Sequence, residues 1–256
     1  MKIQSLLPLV VGLMLTVSCA SKKEVLYFQD ANSAPSTVTA TNTKIQVNDI
    51  LNITVSALVL ETALPYNIQN FGSDIGGNSQ ELLKLKGYLV TEELTITFPV
   101  LGTLDVSNKT TEELEVYIED ILETGGHLKD PVVSVRILNT KVTILGEVRQ
   151  PGTYGFTEKR ITLPQALGYA GDMTINGFRE DVLVIREIDG IRTIGHVDMT
   201  TTTWFDSPYY YVKPNDVIVV NPNGPKIKKA GFIGDVATVL TLTSVMLSAI
   251  VLITRI

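Results

Sequence analysis

Cysteine is almost absent: one residue in 256, Cys19. A single thiol excludes an internal disulfide framework and a cysteine-built zinc centre. Histidine is nearly as scarce. His127 and His196 lie far apart, each without Cys or His at ligand spacing, so no metal site is expected at either. Basic residues are in deficit, with 21 Lys and Arg against 27 Asp and Glu, a net charge of -6. With no basic stripe to displace counterions, no nucleic-acid partner is expected. The motifs GxSxG, HExxH and GxxxxGKS/T are missing, and no enzyme or cofactor signature is legible.

The lone thiol follows an apolar run. Residues 1–18 open with one Lys in MKIQS, continue through the uncharged LLPLVVGLMLTV (6–17) and end on the small Ser18. A dozen apolar residues fall short of the ~20 a spanning helix needs. The pattern is that of a secretory signal peptide. A cysteine directly after such a segment marks a bacterial lipoprotein, with Cys19 acylated and left as the new N-terminus. Thr16, where Leu is commoner, departs from the usual lipobox. The alternative is an ordinary signal peptide with an incidental thiol. Acyl chains, at ~0.8 kcal/mol per buried CH₂, would hold the chain on a membrane. Residues 19–43 are rich in Ser, Thr, Asn and Ala and read as a lipidated tether.

Apolar residues make up 45% of the chain, enough for one to three small packed domains. In ILNITVSA, Leu51, Ile53, Val55 and Ala57 alternate with polar residues, the period of a half-buried strand. Asn48-Asp49 before it suits a turn. Residues 60–87 read as a long excursion. TITFPVLGTLDV resumes β character. In TTEELEVYIEDIL, Thr110 and Glu113 have capping-box spacing, and Leu114, Tyr117, Ile118, Ile121 and Leu122 form one apolar face. Gly125-Gly126 ends that helix, and VVSVRIL follows as a strand. From Lys141, KVTILGEV and TYGF flank RQPG. That predicts a hairpin with Pro151 and Gly152 at the centre of a type II turn. Thr162 and Gln165 repeat the capping-box spacing, Pro164 fits a first helical turn, and Gly171 is the expected stop. KPNDVIVV repeats the pattern of VNDILNITV, a turn with Asn-Asp and then a strand.

GEVRQPGTY and LPQALGYAGDMTINGFREDVLVIR resemble the soluble-ligand-binding β-grasp (SLBB) module. Upstream, VNDILNITV, GYLVTEELTITFPVLGTLDV, KTTEELEVYIEDIL and LKDPVVSVRI resemble the export domain that precedes this module in Wza-like polysaccharide export lipoproteins. CASKKEVLYFQD resembles the start of the Bacteroides-group members. The resemblance implies an α+β chain, with a mixed, β-rich export domain over 44–138 and one SLBB domain over 141–222. It implies a non-catalytic, cofactor-free outer-membrane subunit for capsule or exopolysaccharide export, the bulk of it periplasmic. Its partners would be copies of itself in a ring, octameric in the best-known relatives, the translocated polysaccharide, outer-membrane lipid and an inner-membrane chain-length regulator, often a tyrosine kinase.

The last stretch, AGFIGDVATVLTLTSVMLSAIVLITRI, carries no charge from Val236 to Thr254, and a C-terminal transmembrane helix is expected over 230–254. At 100° per residue, Thr241, Ser244, Ser248 and Arg255 lie within about 60° of one another, and Thr238 extends the stripe. Two readings stand here. The helix is a plain anchor whose hydroxyls bond to their own backbone, or copies of it line a pore with hydroxyls inward, as in Wza-like proteins. Two rivals of another class are a glycan-binding lipoprotein, with Trp204, Tyr209, Tyr210 and Tyr211 as candidate stacking surfaces, and a non-conducting envelope scaffold.

Overall fold

The computed structural model describes residues 25–31, 43–68, 84–188, 190–229 and 236–254. Two separate hydrophobic clusters organise them. One runs from Ile45 to Val135, the other from Val142 to Val220. The result is a mixed α+β architecture in which each core carries its own sheet.

The first core is built on strand β1 (Ile50–Ser56), whose alternation buries Leu51, Ile53 and Val55. It lies between β2 (Tyr88–Leu89) and β5 (Val132–Ile137), antiparallel to both. A hairpin of β3 (Thr95–Phe98) and β4 (Gly102–Asp105) packs Ile96, Phe98 and Leu104 into the same cluster. The excursion after β1 begins as a short helix α1 (Leu60–Ala63) and a 3₁₀ turn (Leu64–Tyr66). Asn67 then imitates a strand partner, accepting from the Val55 N–H and donating to its carbonyl, both at 2.9 Å.

Helix α2 (Thr111–Thr124) starts with the expected capping box. The Thr110 side chain accepts from the Glu113 N–H, and the Glu113 carboxylate accepts from the Thr110 N–H. Leu114, Ile118 and Leu122 are fully buried. The same helix guards the free edge of β5. The Val133 and Val135 N–H groups donate to Glu119 and Glu115, one turn apart, at 2.8 Å each. An edge strand left bare would be a template for pairing with other chains.

The second core rests on a five-stranded sheet in the order β10–β9–β12–β6–β7. Its members are β6 (Lys141–Gly146), β7 (Gly152–Gly155), β9 (Gly177–Ile188), β10 (Ile191–Val197) and β12 (Val217–Pro222). The β12–β6 pair is parallel and the others antiparallel. β8 (Ile161–Thr162) pairs with β11 (Tyr211–Val212) beside the core. Helix α3 (Leu163–Tyr169) has the expected capping box at Thr162, with Pro in its first turn. Gly171 follows at φ 73, the left-handed exit expected of a helix stop.

The RQPG turn is a correction. β6 and β7 do form a hairpin, but Gly152 is already a strand residue paired with Ile144, and it is not among the positive-φ glycines. Gly146 takes the left-handed role instead, at φ 90, where a Cβ would come within 2.0 Å of the Val220 carbonyl oxygen. The loop is tied sideways rather than closed on itself. The Arg149 and Gln150 N–H groups donate to the Asp172 and Ala170 carbonyls. These bonds to the end of α3 dictate its shape.

The repeat noted in the sequence is geometrical. Asn48 and Asn215 take φ 67 and 66, and the following carboxylates, Asp49 and Asp216, each accept a 2.8 Å bond from the N–H three residues back. Both carboxylates are buried. Their surroundings differ. Asp216 receives a forked pair from buried Arg186, Nε to Oδ1 at 2.9 Å and Nη2 to Oδ2 at 2.7 Å. Arg186 also donates to the Pro208 and Tyr211 carbonyls. Asp49 sits beside apolar Val90, whose N–H donates to the Asp49 backbone carbonyl, and burial raises its carboxyl to about 6.

The transmembrane helix expected over 230–254 is the second correction. Among the described residues no helix is long and apolar enough to cross a membrane. A six-residue helix α4 (Gly224–Lys229) follows β12, and the chain's last described element is α5 (Val236–Thr254), nineteen residues without a charge. At ~1.5 Å per residue α5 extends about 28 Å, just under the ~30 Å of a bilayer's hydrocarbon.

Two outcomes follow for stability. Asp49 has a folded pKa above its unfolded value near ~3.9, so it costs nothing below pH 4 and opposes folding above pH 6, by on the order of 2–3 kcal/mol. Denaturation of Asp49→Asn should lack that decline between pH 4 and 6; an unchanged pH profile would remove Asp49 as its source. Asp216→Ala, which strands the buried guanidinium, should cost ~3–5 kcal/mol in chemical denaturation of the second core.

Candidate functional site

Helix α5 places Thr241, Ser244 and Ser248 along one strip, as the 100° spacing requires, and the Thr238 side chain lies outside the described residues. The Ser244 hydroxyl donates to the Thr241 carbonyl at 2.9 Å, and Ser248 to Ser244 at 2.8 Å. Thr243, off the strip, donates to Leu240 at 3.0 Å. The serine protons are thus committed to their own helix, which lowers the cost of placing them in apolar surroundings. What the two serines can offer a neighbour is oxygen lone pairs. The aliphatic residues Leu242, Val245, Met246 and Leu252 are exposed at 54–68%. Cys19 and Arg255, the other expected site residues, lie outside the described residues.

The candidate stacking aromatics are placed differently from the expectation. Trp204 is 5% exposed, its indole N–H donates to the Thr201 carbonyl at 3.0 Å, and its ring packs against Phe205 and Tyr210. Tyr210 is wedged against Trp204, Phe205 and Tyr211. Tyr209 covers the Arg186 guanidinium at 5.2 Å. Trp204 is thus part of the second core, whereas Tyr209, Tyr210 and Tyr211 are half-buried at its edge.

The two histidines are also separate. His196 contacts Asp181 at 2.7 Å on the β9–β10 ribbon, and His127 contacts the Tyr66 hydroxyl at 3.2 Å in the first unit.

A cleft of about 290 Å³ opens where the two units meet, a feature no sequence motif announces. Ile137 and Pro214 contribute apolar lining; Glu112, Arg136, Glu158, Lys159 and Arg160 bring charges of both signs. One bond spans it, from Lys159 Nζ to Glu112 Oε1 at 2.7 Å. That ammonium holds the Glu112 carboxyl down at about 2. The signal was invisible because Glu112 belongs to the first turn of α2, while Lys159 lies 47 residues later in the loop before β8.

Residues 37–138 match the family model described as polysaccharide biosynthesis/export protein. The match takes in about two-fifths of the chain. The matched segment ends with the first core, one residue beyond β5. Among curated proteins, the chain is similar to the EPS I polysaccharide export outer membrane protein EpsA of Ralstonia nicotianae, 32% identical over 156 residues. The EpsA protein of Ralstonia solanacearum is 31% identical over 141 residues. These alignments cover 56% and 53% of this chain but only 38% and 36% of the relatives' lengths.

The Glu112–Lys159 bond is half in solvent, so it should be worth under ~1 kcal/mol. A double-mutant cycle with Glu112→Ala and Lys159→Ala should give a coupling below that value at 150 mM salt. With a depressed folded pKa, the contribution is present above the unfolded pKa and is lost as pH falls toward 2.

Proposed function

We propose that this chain is a subunit of an outer-membrane polysaccharide export assembly, with the export-family unit below and the C-terminal helix at the membrane. The observation that carries this reading is the family match over 37–138, which coincides with the first packed core. The relatives' names, both polysaccharide export outer membrane proteins, support the location and the cargo class. The subunit is non-catalytic and needs no cofactor; passage of a polymer requires a shaped channel rather than bond chemistry.

In this reading Cys19 carries the lipid, residues 141–222 are an SLBB β-grasp domain, and the folded bulk is periplasmic. Copies assemble into a ring, and an inner-membrane chain-length regulator, a tyrosine kinase in many relatives, docks beneath it. The uncharged α5 helices gather at the ring's membrane end, shielding one another where a single helix is marginal. Thr238, Thr241, Ser244, Ser248 and Arg255 then face the lumen, and the exposed aliphatic side faces lipid. Serine oxygens whose protons are already committed would offer a passing sugar chain only weak, exchangeable bonds.

The test is genetic and electrical. Removing residues 231–256 should abolish surface polysaccharide while both soluble cores still unfold cooperatively. Replacing Thr241, Ser244 and Ser248 together by Leu should lower single-channel conductance of purified assemblies in planar bilayers. Normal surface polysaccharide in the truncated strain would refute the export-pore role.

A further inference from the structure

The stretch expected to be a free tether is partly packed. Residues 25–31 lie against the second unit, not against the export unit that follows them in sequence. The Phe28 and Gln29 N–H groups donate to the Met199 and Thr200 carbonyls at 3.3 and 2.7 Å. The Asp30 carboxylate accepts from the Thr202 N–H at 2.6 Å. Phe28 sets its ring against Phe205 at 5.4 Å and Trp204 at 6.2 Å. The Tyr27 hydroxyl donates to Asp172 Oδ1 at 2.6 Å, and its ring lies 5.1 Å from the Arg179 guanidinium. Burial, then the Asp172 carboxylate, push the Tyr27 phenol above its usual range.

The side chains that receive them also have partners of their own within the second unit. Arg179 is 5% exposed, held by the carbonyls of Gly177 and Thr174, and its Nε has no partner. Trp204 closes the core beneath. Tyr27 and Phe28 are only half-buried and sit on the outside of that core. Lifting them away would uncover an aromatic floor of Trp204 and Phe205, the Arg179 guanidinium and the Asp172 carboxylate. Phe28 holds φ 49, a left-handed conformation costly for a non-glycine residue and maintained by the bonds on both sides of it.

We propose that the second unit carries a peptide-docking groove whose occupant is residues Val25–Ala31, a separable strap that pins the N-terminal attachment point to that unit. The groove selects a segment that turns at its second aromatic, with two adjacent aromatics followed by a carboxylate two positions on, as in Tyr27-Phe28-Gln29-Asp30. Its consequence is a shorter leash. Eight residues from Cys19 to Tyr27 reach at most ~27 Å, whereas a free tether from Cys19 to Thr43 would reach ~80 Å. That consequence rests on Cys19 being the point of lipid attachment; the docking itself does not.

Hydrogen exchange of the full-length protein in detergent, resolved by residue, tests the docking without any readout of lipid or export. The Gln29 and Thr202 amides should be protected in the intact chain. Phe28→Ala should speed their exchange by at least about tenfold while the β9 amides stay protected. A synthetic peptide of residues 24–32, added in millimolar excess to Phe28→Ala, should restore protection at Thr202. Asp30→Ala, a milder change at the exposed end, should speed exchange at Thr202 alone. Fast exchange at both amides in the intact chain would overturn the proposal. So would simultaneous loss of β9 protection in both variants, or a peptide without effect. Because none of these readouts involves transport, failure here leaves the export reading standing, and loss of export leaves the strap standing.

Discussion

Each core is entered through the same constraint: a buried aspartate that holds the turn before its central strand. Asn48 and Asn215 adopt the left-handed conformation, and Asp49 and Asp216 reach back to the amides of Gln46 and Lys213. A short polar side chain tolerates that backbone, and a carboxylate satisfies a buried N–H that no strand can reach. Strands β1 and β12 start from these turns, and the sheets take their position from those two strands. The two solutions then diverge. The second unit neutralises its aspartate with Arg186, which also gathers the loop carrying Pro208 and Tyr211. The first unit leaves Asp49 beside apolar neighbours and bears the cost as a raised pKa.

The first unit protects its sheet by a device that also fixes its helix. Glu115 and Glu119 stand one turn apart on α2 and take up two edge amides of β5. The helix is therefore held from two sides, by its buried leucine and isoleucine face and by its acidic flank. With those amides taken up, this edge is closed to accidental strand pairing. The second unit leaves β7 and β10 as the outer strands of its sheet.

The ends of the chain converge on the second unit. The strap of residues 25–31 lies on it, and α4 and α5 follow directly from its last strand.

Local patterns were legible in the residues because their causes are local. Two capping boxes, the alternation of β1, the apolar face of α2 and the repeated Asn-Asp turn all depend on neighbours a few positions away. The hydroxyl strip of α5 was legible for the same reason. What the sequence could not decide were contacts across long separations. Pro151 and Gly152 have the chemistry of a type II turn, yet bonds to the end of α3 shape that loop and Gly146 makes the close approach. Trp204 has the chemistry of a sugar platform, yet it is buried in the core. Polar residues around Tyr27 and Phe28 suggested a tether, but two aromatic rings found a groove formed by residues some 145 to 180 positions later. Composition and period determined the elements; only tertiary packing decided which side chains were free to meet a partner, because burial is a property of the assembled surface and not of any stretch of chain.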